Sequence, residues 1–362
     1  MIRVRTLMIS AAAAGLAAGG ASWAEPPPAS APRSSGAVES FSDPSQSGPA
    51  EGAQAARSTD APAPTDRPRP PRRPRKRHAP PPVAAPAPAP AATAASGPPS
   101  APDPAPEWRP ADPDNTLVID TNRGAVIVAL APAAAPQSVE RVKRLARLGI
   151  YDGLLFHRVI DGFVAQTGNP NNHDGGKSAE PNLPPEFTFR LGADMPHAVA
   201  ARPAGGATGL LQTLPYESVA EERMAGSPDH RITAWGAFCA GVMGMGRDAS
   251  PDSGNSEIFF MRDPARRLDR SYSPVGRILS GLEIIRSLAV GEPPATPDRM
   301  VRVRVLADIP APERPTVEVV DTAGPGFRAV IERTRSQRGA DFSVCDLEVP
   351  VRVTPAPAPP AP

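Results

Sequence analysis

The chain is short of the residues that most reaction chemistries need. Its 362 residues include two cysteines, Cys239 and Cys345, and five histidines, at 78, 157, 173, 197 and 230. There is no Cys-x-x-Cys, which excludes a thiol redox pair and the usual zinc cage. The histidines lack metal-ligand spacing, so neither a metal nor a cofactor is expected. The G-x-S-x-G elbow, the H-E-x-x-H helix and the glycine-rich phosphate loop are missing too, which removes the commonest hydrolytic and nucleotide-driven chemistries. A net charge of +1 exerts no global pull on nucleic acid, and no specific nucleic-acid partner is expected. Past the N-terminus, no run reaches the roughly 20 apolar residues that span a bilayer. The two cysteines could pair in an oxidising compartment, and a buried free Cys239 is an equal reading.

Proline, by contrast, is abundant: 51 residues, about half of them between Glu25 and Pro113. Ahead of that stretch, Arg3 and Arg5, the apolar run from Leu7 to Gly19, and Ser22-Trp23-Ala24 read as a secretory signal over 1–24, with a mature chain starting near Glu25. Residues 25–113 have the composition of a disordered linker. Within it, "RPRPPRRPRKRH" (67–78) is a candidate for weak contact with an anionic surface, although a solvated spacer is the preferred reading.

Folded structure is expected from about Asn115. Two β-rich runs flank Asn122-Arg123-Gly124, a hairpin signal with glycine where positive φ is needed. Val139, Val142, Leu145 and Leu148 recur at helical spacing after Pro136 and Ser138, and Gly149 stops the run. Short apolar runs follow at 154–160, 163–166, 186–190, 238–245, 257–261 and 274–279. A second helix is read at Leu282, Ile285 and Leu288, and "MVRVRV" alternates as a closing strand. Many strands and two helices out of strict alternation predict a mainly β domain over 114–310, an antiparallel barrel or sandwich. Residues 195–236 lack clear periodicity and read as an insertion. A C-terminal extension, 311–362, carries a helical pattern at 327–338, a strand pattern at 344–353 and a Pro/Ala tail, and no role follows from these.

The chemistry-bearing stretch is "YDGLLFHRVIDGFVAQTGNP", from Tyr151 to Pro170. On a strand through 156–160, Phe156, Arg158 and Ile160 would share one face and His157 and Val159 the other. His157, among apolar neighbours, reads as a packed core residue rather than a general base. A second aromatic segment, "GNSEIFFMRD", supplies Phe259 and Phe260, and "LDRSYSPVGRI" supplies Leu268 and Tyr272. Together they outline an apolar pocket with one fixed cation, the usual layout of a small ligand site.

These motifs, with the preceding hairpin and helix, resemble a cyclophilin-type peptidyl-prolyl cis-trans isomerase over about Asn115 to Ile309. The resemblance implies a closed eight-stranded antiparallel barrel capped by two α-helices, with the active groove on its outer face. It makes Arg158 the catalytic residue and Gln166 the residue that fixes the substrate backbone. Phe163, Phe259 and Leu268 wall the proline pocket, Val164 sits at an apolar position often held by Met, and Tyr272 stands where the family often has His. Glu257 departs from the usual Gln, and Arg247 and Asp248 occupy a loop that usually carries small or amide residues. Glu257 could pair with Arg158, favour substrates with a basic neighbour, or weaken activity. The implied partners are proline-containing polypeptides, and the implied role is assisting exported proteins to fold, as a monomer in the periplasm; secretion or membrane association through an uncleaved signal is the alternative location. A catalytically weak proline-binding or chaperone module is the alternative function.

Overall fold

The computed structural model describes residues 104–356, so the stretch read as a secretory signal, the basic run 67–78 and nearly all of the stretch read as a linker lie outside the described residues. Structure starts earlier than Asn115: Trp108–Pro110 forms strand β1, inside the stretch read as linker. The expected hairpin follows as β2 (Thr116–Thr121) and β3 (Gly124–Leu130). Its register pairs Thr121 with Gly124, so the turn is Asn122-Arg123, and Gly124 holds φ +132°. Helix α1 (Pro136–Arg147) buries Val139, Val142 and Leu145, whereas Leu148, read as part of the same face, is the cap residue and lies exposed. The first turn of α1 has no side-chain cap of its own. The Glu186 carboxylate takes that part, accepting from Gln137 N and Ser138 N at 2.8 Å each.

Strands β4 (Arg158–Val159) and β5 (Val164–Thr167) come next. The stretch without clear periodicity then forms most of a five-stranded antiparallel sheet: β6 (Phe189–Leu191), β7 (His197–Ala201), β8 (Gly206–Leu211), β9 (Leu214–Val219) and β10 (Ile232–Gly236), in the order β6-β10-β9-β8-β7. Its alternation is hidden in the sequence because small residues fill both faces. In β7 the buried residues are Ala198 and Ala200, and one half-exposed neighbour is again alanine. In β8, a side chain on Gly209 would come within 1.9 Å of the Ala198 carbonyl.

The chain returns through β11 (Val242–Met245), β12 (Ile258–Met261), β13 (Pro274–Ser280), the short helix α2 (Leu282–Ser287) and β14 (Met300–Val305). Eight strands form the main antiparallel sheet, in the order β14-β2-β3-β13-β11-β12-β5-β4. The sheet is curled rather than continuously closed. Its edges, β4 and β14, are not paired with each other; isolated bridges, Leu155–Arg299 and Val159–Gly291, join the β4 side to the chain leading into β14. The closed barrel expected from the resemblance is therefore an open ladder, because β4 is two residues long and the chain on either side of it departs from strand geometry.

Adjacent residues of one strand face different cores. In β12, Ile258 and Phe260 enter the cluster inside the curl, with Val139, Val142 and Leu145 of α1 and Ile285 of α2. Phe259 and Met261 enter a second cluster on the outer face, with residues of the five-stranded sheet and of the extension. That extension is part of the fold: β15 (Thr316–Val320), α3 (Pro325–Arg338) and β16 (Val351–Thr354). The helix covers the 327–338 expected. The strand is shorter than 344–353, since Val344–Asp346 is a 3-10 turn. Strands β1, β15 and β16 make a third sheet with β15 central, and Phe327 and Ile331 of α3 pack into the outer cluster. Cys239 and Cys345 are joined in a disulfide that links the connection between β10 and β11 to the extension across 106 residues. No helix among the described residues is long and apolar enough to cross a membrane.

Candidate active site

Backbone register assembles the site. Arg158 pairs with Gln166 across β4 and β5, Gln166 with Phe259 across β5 and β12, and Phe259 with Gly244 across β12 and β11. Directly opposed residues in a sheet point to the same face, so the Arg158, Gln166 and Phe259 side chains form one row on the outer side. Gly244 ends the row because a Cβ there would lie 2.3 Å from Phe259 Cζ; glycine leaves the space the ring fills. Phe259 is fully buried, stacked on Phe238 at 5.8 Å and met edge-on by Tyr272 at 5.5 Å.

The other expected pocket residues come together around that ring. Phe163, Val164 and Leu268 are buried in the same outer cluster, and Tyr272 packs against it. Two arginines lie on the aromatic walls: Arg267 Cζ is 4.3 Å from the Phe163 ring centroid and Arg247 Cζ is 4.6 Å from that of Tyr272. Arg247 also donates to Ser271 O, and Asp248 pairs with Lys177 at 2.8 Å, so the two unusual loop charges are tied into local contacts. Phe156 is not on Arg158's face. It packs inside the curl with Val159, because the regular strand begins only at Arg158.

A chain of polar contacts runs beneath the row. Arg158, 2% exposed, donates from Nε to Glu292 Oε2 at 2.6 Å and from Nη1 to Gln166 Oε1 at 3.1 Å. Gln166 Nε2 donates to Glu257 Oε1, and Asn169 Nδ2 donates to Glu257 Oε2. His157 Nε2 lies 3.1 Å from Asp174 Oδ1 and 3.7 Å from Glu257 Oε2. Burial would push the imidazole pKa down, but hydrogen bonds and charges from Asp174 and Glu257 outweigh it and raise it to about 9. The same contacts hold the Asp174 carboxyl below its usual range against burial. His157 is thus buried as expected, but as an imidazolium between two carboxylates instead of an apolar core residue.

Sequence reasoning missed Glu292, Asp174 and Asn169. Asn169 sits in the quoted "QTGNP" and Asp174 four residues beyond it, yet nothing local marks either as a neighbour of Glu257. Glu292 sits in "VGEPP", just past the second helix, where nothing local marks it as a neighbour of Arg158. His157, Asp174 and Glu257 also place one ligand-type atom each within 4.8 Å of one another, and the other imidazole nitrogen, Nδ1, is buried without a hydrogen-bond partner among the described residues.

The profile for cyclophilin type peptidyl-prolyl cis-trans isomerase/CLD matches residues 116–305, just over half of the chain. A probable peptidyl-prolyl cis-trans isomerase of Brucella suis is 31% identical over 205 residues, covering 55% of this chain and 86% of that protein. Peptidyl-prolyl cis-trans isomerase B of Bacillus subtilis is 28% identical over 163 residues, 45% of this chain and 82% of its own length. Among solved structures, the cyclophilin AquaCyp293 from Hirschia baltica superposes with a TM-score of 0.64 at 36% identity, covering 69% of this chain and 95% of its own. This chain belongs to the cyclophilin family of peptidyl-prolyl cis-trans isomerases. The likeness to AquaCyp293 reaches beyond residues 116–305, so it takes in part of the flanking structure as well.

Proposed function

We propose that this isomerase accelerates X–Pro rotation through Arg158, with the proline ring held against Phe163, Phe259 and Leu268. The observation that carries this reading is the row of Arg158, Gln166 and Phe259, which sets a buried guanidinium beside a dry aromatic wall. The amide barrier of about 18–20 kcal/mol comes from delocalisation of the nitrogen lone pair into the carbonyl. A guanidinium N–H directed at the prolyl nitrogen bonds that lone pair only as the amide twists and the nitrogen pyramidalises, so it stabilises the transition state more than either planar isomer. No bond breaks and no proton is transferred. Arginine suits the position because burial does not strip its charge. Val164 and Tyr272 support the aromatic wall, and Gln166 joins Arg158 to Glu257.

Arg158→Ala should lower kcat/KM on a short X–Pro peptide by about a hundredfold or more, at roughly 1.4 kcal/mol per factor of ten. Equal activity in the two proteins, both folded by circular dichroism, would overturn the assignment. Peptide binding without rate enhancement in the unaltered chain would select a proline-binding module instead.

The isomerase is further proposed to act on exported proteins in the periplasm. The N-terminal pattern of charged, apolar and small residues supports this, as does the Cys239–Cys345 disulfide, since such bonds persist in oxidising compartments. The test is N-terminal sequencing of the protein from cell fractions: a start near Glu25 in the exported fraction is expected, and an intact Met1 form confined to the cytoplasm would refute it.

A further inference from the structure

We infer that Glu292 is a positioning residue for Arg158, delivered by the loop between α2 and β14; this rests on the catalytic reading of Arg158. The carboxylate reaches Arg158 Nε at 2.6 Å with 51% of its own side chain exposed, while the Arg158 side chain is 3% exposed. It stands at the boundary between solvent and the buried cation.

The loop that carries Glu292 is anchored on both sides. Val159 N donates to Gly291 O at 2.8 Å and Gly291 N to Val159 O at 2.9 Å, a reciprocal pair between the residues next to Arg158 and Glu292. Gly291 is required at that point: its φ is +154°, and a Cβ would lie 2.4 Å from Pro294 Cα. Farther along the loop, Asp298 accepts from Ala289 N, Asn122 Nδ2 and Arg123 Nε at 2.7–2.8 Å, and Phe156 N donates to the Asp298 carbonyl at 2.9 Å. The loop and the β4 edge are therefore locked together, and Glu292 is held by backbone contacts that do not involve its own side chain.

Two contacts on different nitrogens give this carboxylate its effect. Contacts on Nε and Nη1 constrain the guanidinium plane from two of its edges. With Glu292 on Nε and Gln166 on Nη1, the plane is fixed, and so is the direction of its remaining N–H bonds. Misorienting a catalytic donor lowers the rate of the bound complex and leaves apolar ring binding nearly untouched. The bond needs an acceptor at that place, which a carboxamide also supplies.

The test compares the full-length protein with E292Q, E292A and E292D, and with R158A as reference. By the cost of a mispositioned group, E292A should lose about tenfold or more in kcat with KM within about twofold, and E292Q should stay within about threefold of the unaltered protein. E292D, one methylene shorter, should fall between them and serves if E292A does not fold. The Arg158 Nε–H proton resonance, assigned by its loss in R158A, should be shifted downfield and slow to exchange in the unaltered protein and lose both features in E292A. Unchanged kcat in E292A, equal losses in E292Q and E292A, or an unaltered Nε–H signal would overturn the inference. An active R158A would instead overturn the catalytic reading beneath it.

Discussion

Arg158 and Glu257 between them fix which way round the Gln166 amide sits. A carboxylate only accepts, so the Gln166 nitrogen must face Glu257 and its oxygen must face Arg158 Nη1. A guanidinium only donates, so Arg158 asks for the same orientation, and the two neighbours of the amide agree. Glu257 also accepts from Asn169, so its two oxygens tie Gln166 of β5 to the turn that follows that strand. The carboxylate found at Arg158 Nε is Glu292, whereas the contacts at the Glu257 oxygens come from Gln166, Asn169 and His157.

Replacing Glu257 with Gln should be felt first at His157. With one of its two carboxylates gone, the imidazole should titrate well below about 9, toward its ordinary value near 6.5. An NMR titration of the His157 ring protons in E257Q reads this directly. An unchanged midpoint would show that Asp174 alone sustains the imidazolium.

The same histidine sets a pH dependence of stability. Its pKa is raised from 6.5 in the unfolded chain to about 9 in the folded one, so the native state binds the proton more tightly. That contribution is fully present below about pH 6.5 and is lost as pH rises through about 9. Denaturant midpoints should fall across this interval in the unaltered protein, and the fall should be much smaller in His157→Phe. Parallel profiles for the two proteins would refute the assignment.

Gly244→Ala should damage the pocket without touching Arg158. The added methyl would overlap the Phe259 ring at 2.3 Å, and that ring is fixed between Phe238 and Tyr272. Overpacking of this kind costs typically about 1–3 kcal/mol. The expected readouts are a lower Tm and a raised KM for X–Pro peptides as the wall shifts. A variant equal to the unaltered protein in both would show that Phe259 has room to move.

Loss of the disulfide should loosen the extension more than the active site. Closing a loop of this length restricts the unfolded chain by roughly 4–5 kcal/mol on the loop-entropy model. The double variant Cys239→Ser, Cys345→Ser should therefore unfold at clearly lower denaturant. Its kcat per folded molecule should match the unaltered protein, since the bonds that tie Arg158 to Glu292 and Gln166 involve neither cysteine. Arg277 adds a second fastening nearby: it donates to Thr213 O and Leu347 O, and burial lowers its pKa to about 10.

What the sequence revealed and what it withheld divide along physical lines. The β2–β3 hairpin, α1 and β14 were legible because turn glycine, helical spacing and period-two alternation are local signals. Arg158, Gln166 and Phe259 were legible through their flanking motifs, and the backbone register brings them into one row. The five-stranded sheet was not legible, because Ala198, Ala200 and Gly209 pack by smallness and leave no hydropathy alternation. Glu292 was hidden for a different reason. It meets Arg158 across 134 residues through a backbone bridge that depends on no side-chain pattern. The cysteine pairing likewise needed the 5.1 Å Cα approach that only the folded extension provides.

The small third sheet has a mechanical consequence. Strand β1, the point where the chain enters the described structure, is laid antiparallel along β15, and the Trp108 ring lies 3.7 Å from Arg352 Cζ on β16. Tension applied from the N-terminal side would run along β1, across the direction of its inter-strand hydrogen bonds, so those bonds would be loaded together in shear rather than peeled one at a time. Beyond β15 the load has a covalent route through Cys345 to Cys239. A sheet loaded in this way would resist the pull ahead of the strands that carry Arg158.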